Sequence, residues 1–88
     1  MIDIGYSSEF LRVFDRLPTL LQKDIDEKIS LFKDRANHRQ LRVHKLHGKY
    51  AHCWSFSVNY KFRIVFVYVG KGKNTVSFIT VGDHDIYK

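Results

Sequence analysis

A single cysteine, Cys53, excludes an intramolecular disulfide and fits a reducing compartment. No run of apolar residues reaches the roughly 18 that a membrane-spanning helix needs. The opening Met1-Ile2-Asp3-Ile4 lacks the basic start and apolar core of a secretory signal. These absences together point to a cytoplasmic protein. Repeats, low-complexity tracts and linkers are also missing, so residues 1–88 read as one domain. A chain of that length buries roughly 60–65% of its unfolded surface, enough for one modest core. The most informative absence is acidic charge. Residues 37–73 hold Arg39, Arg42, Lys45, Lys49, Lys61, Arg63, Lys71 and Lys73 and not one Asp or Glu. Residues 1–36, by contrast, are nearly neutral. The whole chain carries a formal +6, and five His can add to it near a polyanion. So long a stretch without counter-charge exceeds what solubility requires and points to an acidic partner, either nucleic acid or protein.

What is present has globular patterning: 44% of the residues are hydrophobic and 15% aromatic. Ile2, Ile4 and Tyr6 alternate with polar or small residues and predict a short first strand. Ser7 or Ser8 is placed to cap a helix whose first turn holds Glu9. Phe10, Leu11, Phe14 and Leu17 form its apolar stripe. Pro18 ends that helix or opens the next, which runs from about Thr19 to Lys33 on a stripe of Leu21, Ile25, Ile29 and Phe32. A short strand is expected from Leu41 to Leu46, then a turn at His47-Gly48-Lys49-Tyr50. In the strand from Cys53 to Val58, Trp54, Phe56 and Val58 face a core while Cys53, Ser55 and Ser57 face away. Phe62 to Val69 is the strongest strand. The turn Gly70-Lys71-Gly72-Lys73-Asn74 leads to a last strand, Val76 to Val81.

The order is β-α-α-β-β-β-β. It predicts an α+β fold with two N-terminal helices on one face of a small, mostly antiparallel sheet. The other face is expected to be open, carrying Ser55, Ser57 and part of the basic set. In the last strand, strict alternation sends Val76, Phe78 and Thr80 one way and Ser77, Ile79 and Val81 the other. Gly82 is expected to break it, after which Asp83, His84, Asp85 and Tyr87 crowd together. Ionisable groups held at the end of a buried strand sit on the rigid support that a catalytic or binding site needs. The plainer alternative is a solvated tail.

Three stretches carry a resemblance: His44-Lys45-Leu46-His47-Gly48, the run from Val58 to Phe66 through Asn59-Tyr60-Lys61, and the terminal Val81-Gly82-Asp83-His84-Asp85-Ile86-Tyr87. In this order the chain resembles the RelE/ParE superfamily of bacterial toxins. The likeness implies a RelE-like fold and the toxin half of a toxin–antitoxin pair. Its partner would be a cognate acidic antitoxin, and the complex of the two is expected to be oligomeric. The RelE, YoeB, HigB and YafQ branches cut mRNA on the ribosome, whereas the ParE branch poisons DNA gyrase. The pattern is most similar to the YafQ-like group. That likeness maps one His onto His44, four residues before Gly48, and a catalytic His onto His84. Two departures stand out. The carboxylate that YafQ-like toxins carry before the central strand is replaced, with Asn59 or Tyr60 nearest. RelE-like chains use Arg and Lys where this one has Asp83-His84-Asp85.

The chemistry of such a site follows from RNA itself. The 2′-hydroxyl must lose a proton, the phosphate charge must be stabilised, and the leaving 5′-oxygen must gain a proton. Histidine, with an unperturbed pKa of about 6.5, serves in either transfer, so His44 and His84 can divide them. Asp83 or Asp85 would orient His84 and favour its charged form. Arg63, Lys45 and Lys49 would hold the phosphate, with His47 as an undecided fourth member. Tyr87 would stack on a base or donate a proton. This scheme needs no metal or cofactor. A zinc site from His44, His47, His52 and His84 is the weaker alternative, because their spacing matches no common pattern. His38 and His52 are expected to be structural or superficial, and Cys53 a small sheet residue. Gyrase poisoning and RNA binding without catalysis are the competing functions.

Overall fold

The computed structural model describes residues 1–83. Residues 84–88, and with them the expected site residues His84, Asp85 and Tyr87, lie outside the described residues. Strand β1 is Asp3–Tyr6, followed by helices α1 (Ser8–Asp15) and α2 (Thr19–Phe32). Strands β2 (His44–Lys45), β3 (Trp54–Ser57), β4 (Phe62–Tyr68) and β5 (Thr75–Asp83) complete a five-stranded sheet ordered β1-β5-β4-β3-β2. The β1–β5 pair is parallel and the rest are antiparallel. This is the expected α+β architecture. Among the described residues no helix is long and apolar enough to cross a membrane.

The helices begin where local chemistry dictates. Ser7, not Ser8, caps α1 by accepting the Phe10 amide at 2.9 Å. Pro18 occupies the N-cap position of α2, its fixed φ leading into the first turn. Along α2, Ile25, Ile29 and Phe32 are buried, as their spacing implies. On α1 the stripe is narrower than expected. Phe10 is buried, but Leu11 is half exposed, and Leu17 lies beyond the helix end.

The core on the helix side is aromatic. Phe10, Phe32, Phe56, Phe66 and Phe78 are all essentially inaccessible. The Phe32 ring stacks on Phe56 at 4.5 Å and meets Phe66 and Phe78 edge-on at 5.0 and 5.5 Å. His38 covers the outer side of Phe32, ring centroids 4.5 Å apart. Its Nε2 donates to the Phe32 carbonyl at 2.7 Å, satisfying one of the acceptors orphaned at the end of α2.

Three expectations are corrected. Gly82 does not break the last strand, since β5 continues to Asp83 with Gly82 paired to Arg63. Nor does β5 alternate strictly. The register slips between Val65/Thr80 and Phe66/Phe78, which leaves Ile79 as a bulge. Val81 is thereby brought into the same core as Val76 and Phe78, while Ile79 packs on the other face. The bulge is held by Ser7, whose Oγ donates to the Ile79 carbonyl at 2.6 Å. Finally, the second face is not open. Leu46, Cys53 and Val65 form a smaller buried cluster there, with Tyr50, Val67 and Ile79 packed against it, and Ser55 is buried too. The Leu46–Lys49–Tyr50 segment folds back over that face, fixed by Leu46 N–H to Cys53 O at 2.9 Å and Cys53 N–H to Tyr50 O at 2.8 Å.

Because Ser7 both caps α1 and holds the bulge, Ser7→Ala should cost about 1–2 kcal/mol. The exposed Ser8→Ala should be nearly neutral. Urea unfolding followed by Trp54 emission distinguishes the two, and equal midpoints would remove the double role.

Candidate RNA-binding site on the second sheet face

Paired residues on antiparallel strands share a face, so the register sorts the expected site residues. One row on the second face runs His44, Ser55, Val65, Thr80; the next runs Ser57, Arg63, Gly82. His44 and Arg63 therefore share this face, one row apart. Lys45 does not join them. It pairs with Trp54 and belongs to the helix-side face. By the same register Asp83, opposite Phe62, lies on the side away from Arg63. Lys49 is on the second face, its Nζ 5.4 Å above the Tyr50 ring, at the rim of a cavity of about 530 Å³ floored by Val65, Val67 and Ile79. His47 is exposed just before the same turn.

Around Arg63 the backbone is arranged to hold a guanidinium still. The Asn59 carboxamide oxygen accepts from the Lys61 and Phe62 amides at 2.9 and 2.8 Å, closing the β3–β4 turn. Arg63 Nη1 then donates to the Asn59 and Phe62 carbonyls at 2.7 and 3.1 Å. The guanidinium so fixed borders a cavity of about 340 Å³ together with Arg42, Ser57, Asn59 and Tyr60. Two arginines lining one cavity suit a phosphate, which binds well to planar paired donors. Tyr60, 91% exposed at the tip of the turn, offers a ring for a base to stack on.

Arg42 and His44 are coupled through the backbone. Arg42 takes the left-handed conformation at φ +59°, unusual for a residue with a side chain. Its carbonyl accepts from His44 Nδ1 at 2.8 Å. A carbonyl can only accept, so Nδ1 carries the hydrogen and Nε2 is left as the basic nitrogen of the neutral ring. That is the form a general base requires.

Sequence reasoning placed Ser57 on this face but missed Arg42 and Tyr60 as members of this group. The Asn59-Tyr60-Lys61 turn was the available signal for Tyr60, while nothing local announces the left-handed Arg42. Cys53 lies just before β3 rather than in it; it is buried, and burial pushes its thiol pKa up, away from nucleophilic use. Ser55 Oγ is buried with no hydrogen-bond partner among the described residues. Among the described residues, no three His, Cys, Asp or Glu side chains come together as a metal site would require.

No protein-family model and no curated protein matches the sequence. Solved structures do match its fold. The toxin of the intact RelBE toxin–antitoxin complex of E. coli superposes with a TM-score of 0.71 at 16% identity, over 97% of this chain and 99% of that one. A YoeB/ParE toxin from Agrobacterium tumefaciens gives 0.67 at 16% identity, over 94% and 99%. YafQ from E. coli strain BL21(DE3) gives 0.66 at 17% identity, over 96% and 94%.

If the cavity beside Arg63 takes a phosphate, Arg42→Gly and Arg63→Gln should each weaken binding of a single-stranded RNA. Each should flatten the plot of log affinity against log salt by about 0.7–0.9. Glycine suits the left-handed position, so the first variant removes the charge without backbone strain. Unchanged slopes in both variants would move the phosphate site elsewhere. The sheet topology and the matches over nearly the full length together give the chain the RelE-like fold of the RelE, YoeB and YafQ toxins.

Proposed function

We propose that the chain is the toxin component of a toxin–antitoxin pair and acts in the cytoplasm as an mRNA interferase. The observation that carries this reading is the paired Arg42 and Arg63 at one cavity, with His44 on the same face presenting Nε2 as a base. The RelE-like fold supports it, and the solved relatives include toxins held in RelBE and YoeB–YefM complexes. In this scheme mRNA on the ribosome lies across the second face with a phosphate between the two guanidiniums. His44 Nε2 takes the proton of the 2′-hydroxyl, which attacks the adjacent phosphorus. The guanidiniums stabilise the added charge. His84, next in the chain after β5, protonates the departing 5′-oxygen, with Asp85 beside it in sequence and Tyr87 as a stacking group. Lys49 and His47 extend the phosphate track along the turn over this face. The register puts Lys45 and Asp83 on the other side, so neither a phosphate contact by Lys45 nor the orienting of His84 by Asp83 enters this scheme. All protons and charges are handled by side chains, so cleavage is metal-independent and leaves a 2′,3′-cyclic phosphate.

The same acid-free surface would be closed in the resting cell by an acidic antitoxin segment competing with RNA for Arg42, Arg63 and Lys49. Gyrase poisoning would need no base beside the paired arginines, and simple RNA binding would need no tautomer fixed at His44.

The test is cleavage of mRNA by the purified chain on translating ribosomes in the presence of EDTA. Cyclic phosphate ends are expected, with His84→Ala reducing the rate about 10²–10⁴-fold and His44→Gln somewhat less. Uncut mRNA together with gyrase-dependent DNA breaks would establish the ParE-type alternative. Uncut mRNA with intact binding would leave a non-catalytic RNA-binding domain.

A further inference from the structure

The helix-side face has a corner that the site above does not use. Trp54 and Tyr68 lie side by side on that face, both half-buried, with ring centroids 5.2 Å apart at 80°. Lys73 Nζ sits over both rings, 4.9 Å from Trp54 and 5.4 Å from Tyr68. Arg35 donates through Nη2 to the Lys73 carbonyl and to Asn74 Oδ1, fixing the β4–β5 turn against the 3-10 turn Arg35–Asn37. Lys45, opposite Trp54, joins the same face from the edge strand.

Two features make this more than a solvated turn. The first is the backbone at Lys73. The β4–β5 turn has three left-handed residues, Gly70, Gly72 and Lys73, and only the last bears a side chain. Glycine would hold φ +59° without strain, so the lysine is kept there against the preference of its own backbone. The second is the neutral character of the contacts these cations make. The described partners of Arg35 are a carbonyl and a carboxamide, and those of Lys73 are rings. Cations arranged around partly exposed aromatic rings are the pattern that holds phosphates and stacked bases.

We propose that Arg35, Lys45 and Lys73 around Trp54 and Tyr68 form a second RNA-contact surface, which grips the backbone of folded RNA without cutting it. It rests on the cleavage reading only for the choice of RNA as the polyanion. The two surfaces meet at the β2 edge, where His44 faces one side and Lys45 the other. The strand being cut crosses the second face, and the structured RNA around it would bear on this corner.

Trp54 is the only tryptophan in the chain, so its emission reports on this corner alone. The probe is an RNA stem–loop, titrated into the full-length protein at several salt concentrations. Trp54 emission should change on binding. Lys73→Gly should abolish most of that change, weaken stem–loop binding, and reduce the salt slope by about 0.7–0.9. Its thermal midpoint should stay level or rise, and binding of a short single-stranded RNA to the second face should be unaffected. Stem–loop binding with silent Trp54 emission, or an unchanged slope in Lys73→Gly, would overturn the proposal. So would polyglutamate reproducing the emission change while the stem–loop does not, which would assign the corner to an acidic protein. Failure of the cleavage reading looks different: no product forms, while the Trp54 response to the stem–loop persists.

Discussion

The stack of Phe32 on Phe56 is the contact on which the remaining architecture depends. Phe32 is the last residue of α2 and touches β3, β4 and β5 through Phe56, Phe66 and Phe78, so one ring ties the helix to the three central strands. A chain this small has few such anchors, and the aromatic area concentrated at one point compensates for a limited core. His38 completes the arrangement by covering the ring and closing the helix end. Truncating Phe32 would open a void of the kind that costs about 3–5 kcal/mol, a large part of the stability of a domain this size.

A sheet fixed from one side can present chemistry on the other. The smaller cluster of Leu46, Cys53 and Val65 presses a turn onto the second face, and the carbonyls of Asn59 and Phe62 immobilise the Arg63 guanidinium. Binding an anion then requires little further ordering of that side chain, which is the advantage of a preorganised site. The same logic applies to His44, whose tautomer is set by a backbone carbonyl before any substrate arrives. Charge is distributed differently. The acid-free stretch is divided by the pleat, with Arg63 and Lys49 on one face and Lys45 and Lys73 toward the other. A uniformly basic sequence thus becomes two separate basic surfaces.

Much of the fold was legible because it is written in local periodicity. The apolar run from Phe62 to Val69, the stripe Ile25-Ile29-Phe32 and the cap near Ser7 each depend on neighbours within a few residues. The features that escaped depend on distant ones. The bulge at Ile79 is stabilised by a hydroxyl 72 residues earlier, and no Gly or Pro marks it. Ser55 reads as a wet-face residue until the loop from Leu46 to Cys53 is seen to cover that face. Lys45 is grouped with Lys49 and Arg63 because all three are basic residues of the acid-free stretch 37–73. A strand of two residues offers no alternation from which to read its facing, and only the pairing with Trp54 reveals it. For the candidate site, the sequence offers the residue types, while the assignment of His44, Lys45 and Arg63 to faces requires the register.

The central claim is that RNA is held on the second face between Arg42 and Arg63 within reach of His44. The most direct measurement is a nitrogen-15 NMR titration of the chain with a short single-stranded RNA methylated at its 2′-hydroxyls, which binds but cannot be cut. The account predicts that the amides of Arg42, His44, Ser57, Tyr60 and Arg63, and the ring nitrogens of His44, shift together along one binding curve. Shifts confined to α1 and α2, with those residues and the His44 ring unmoved at saturation, would contradict it.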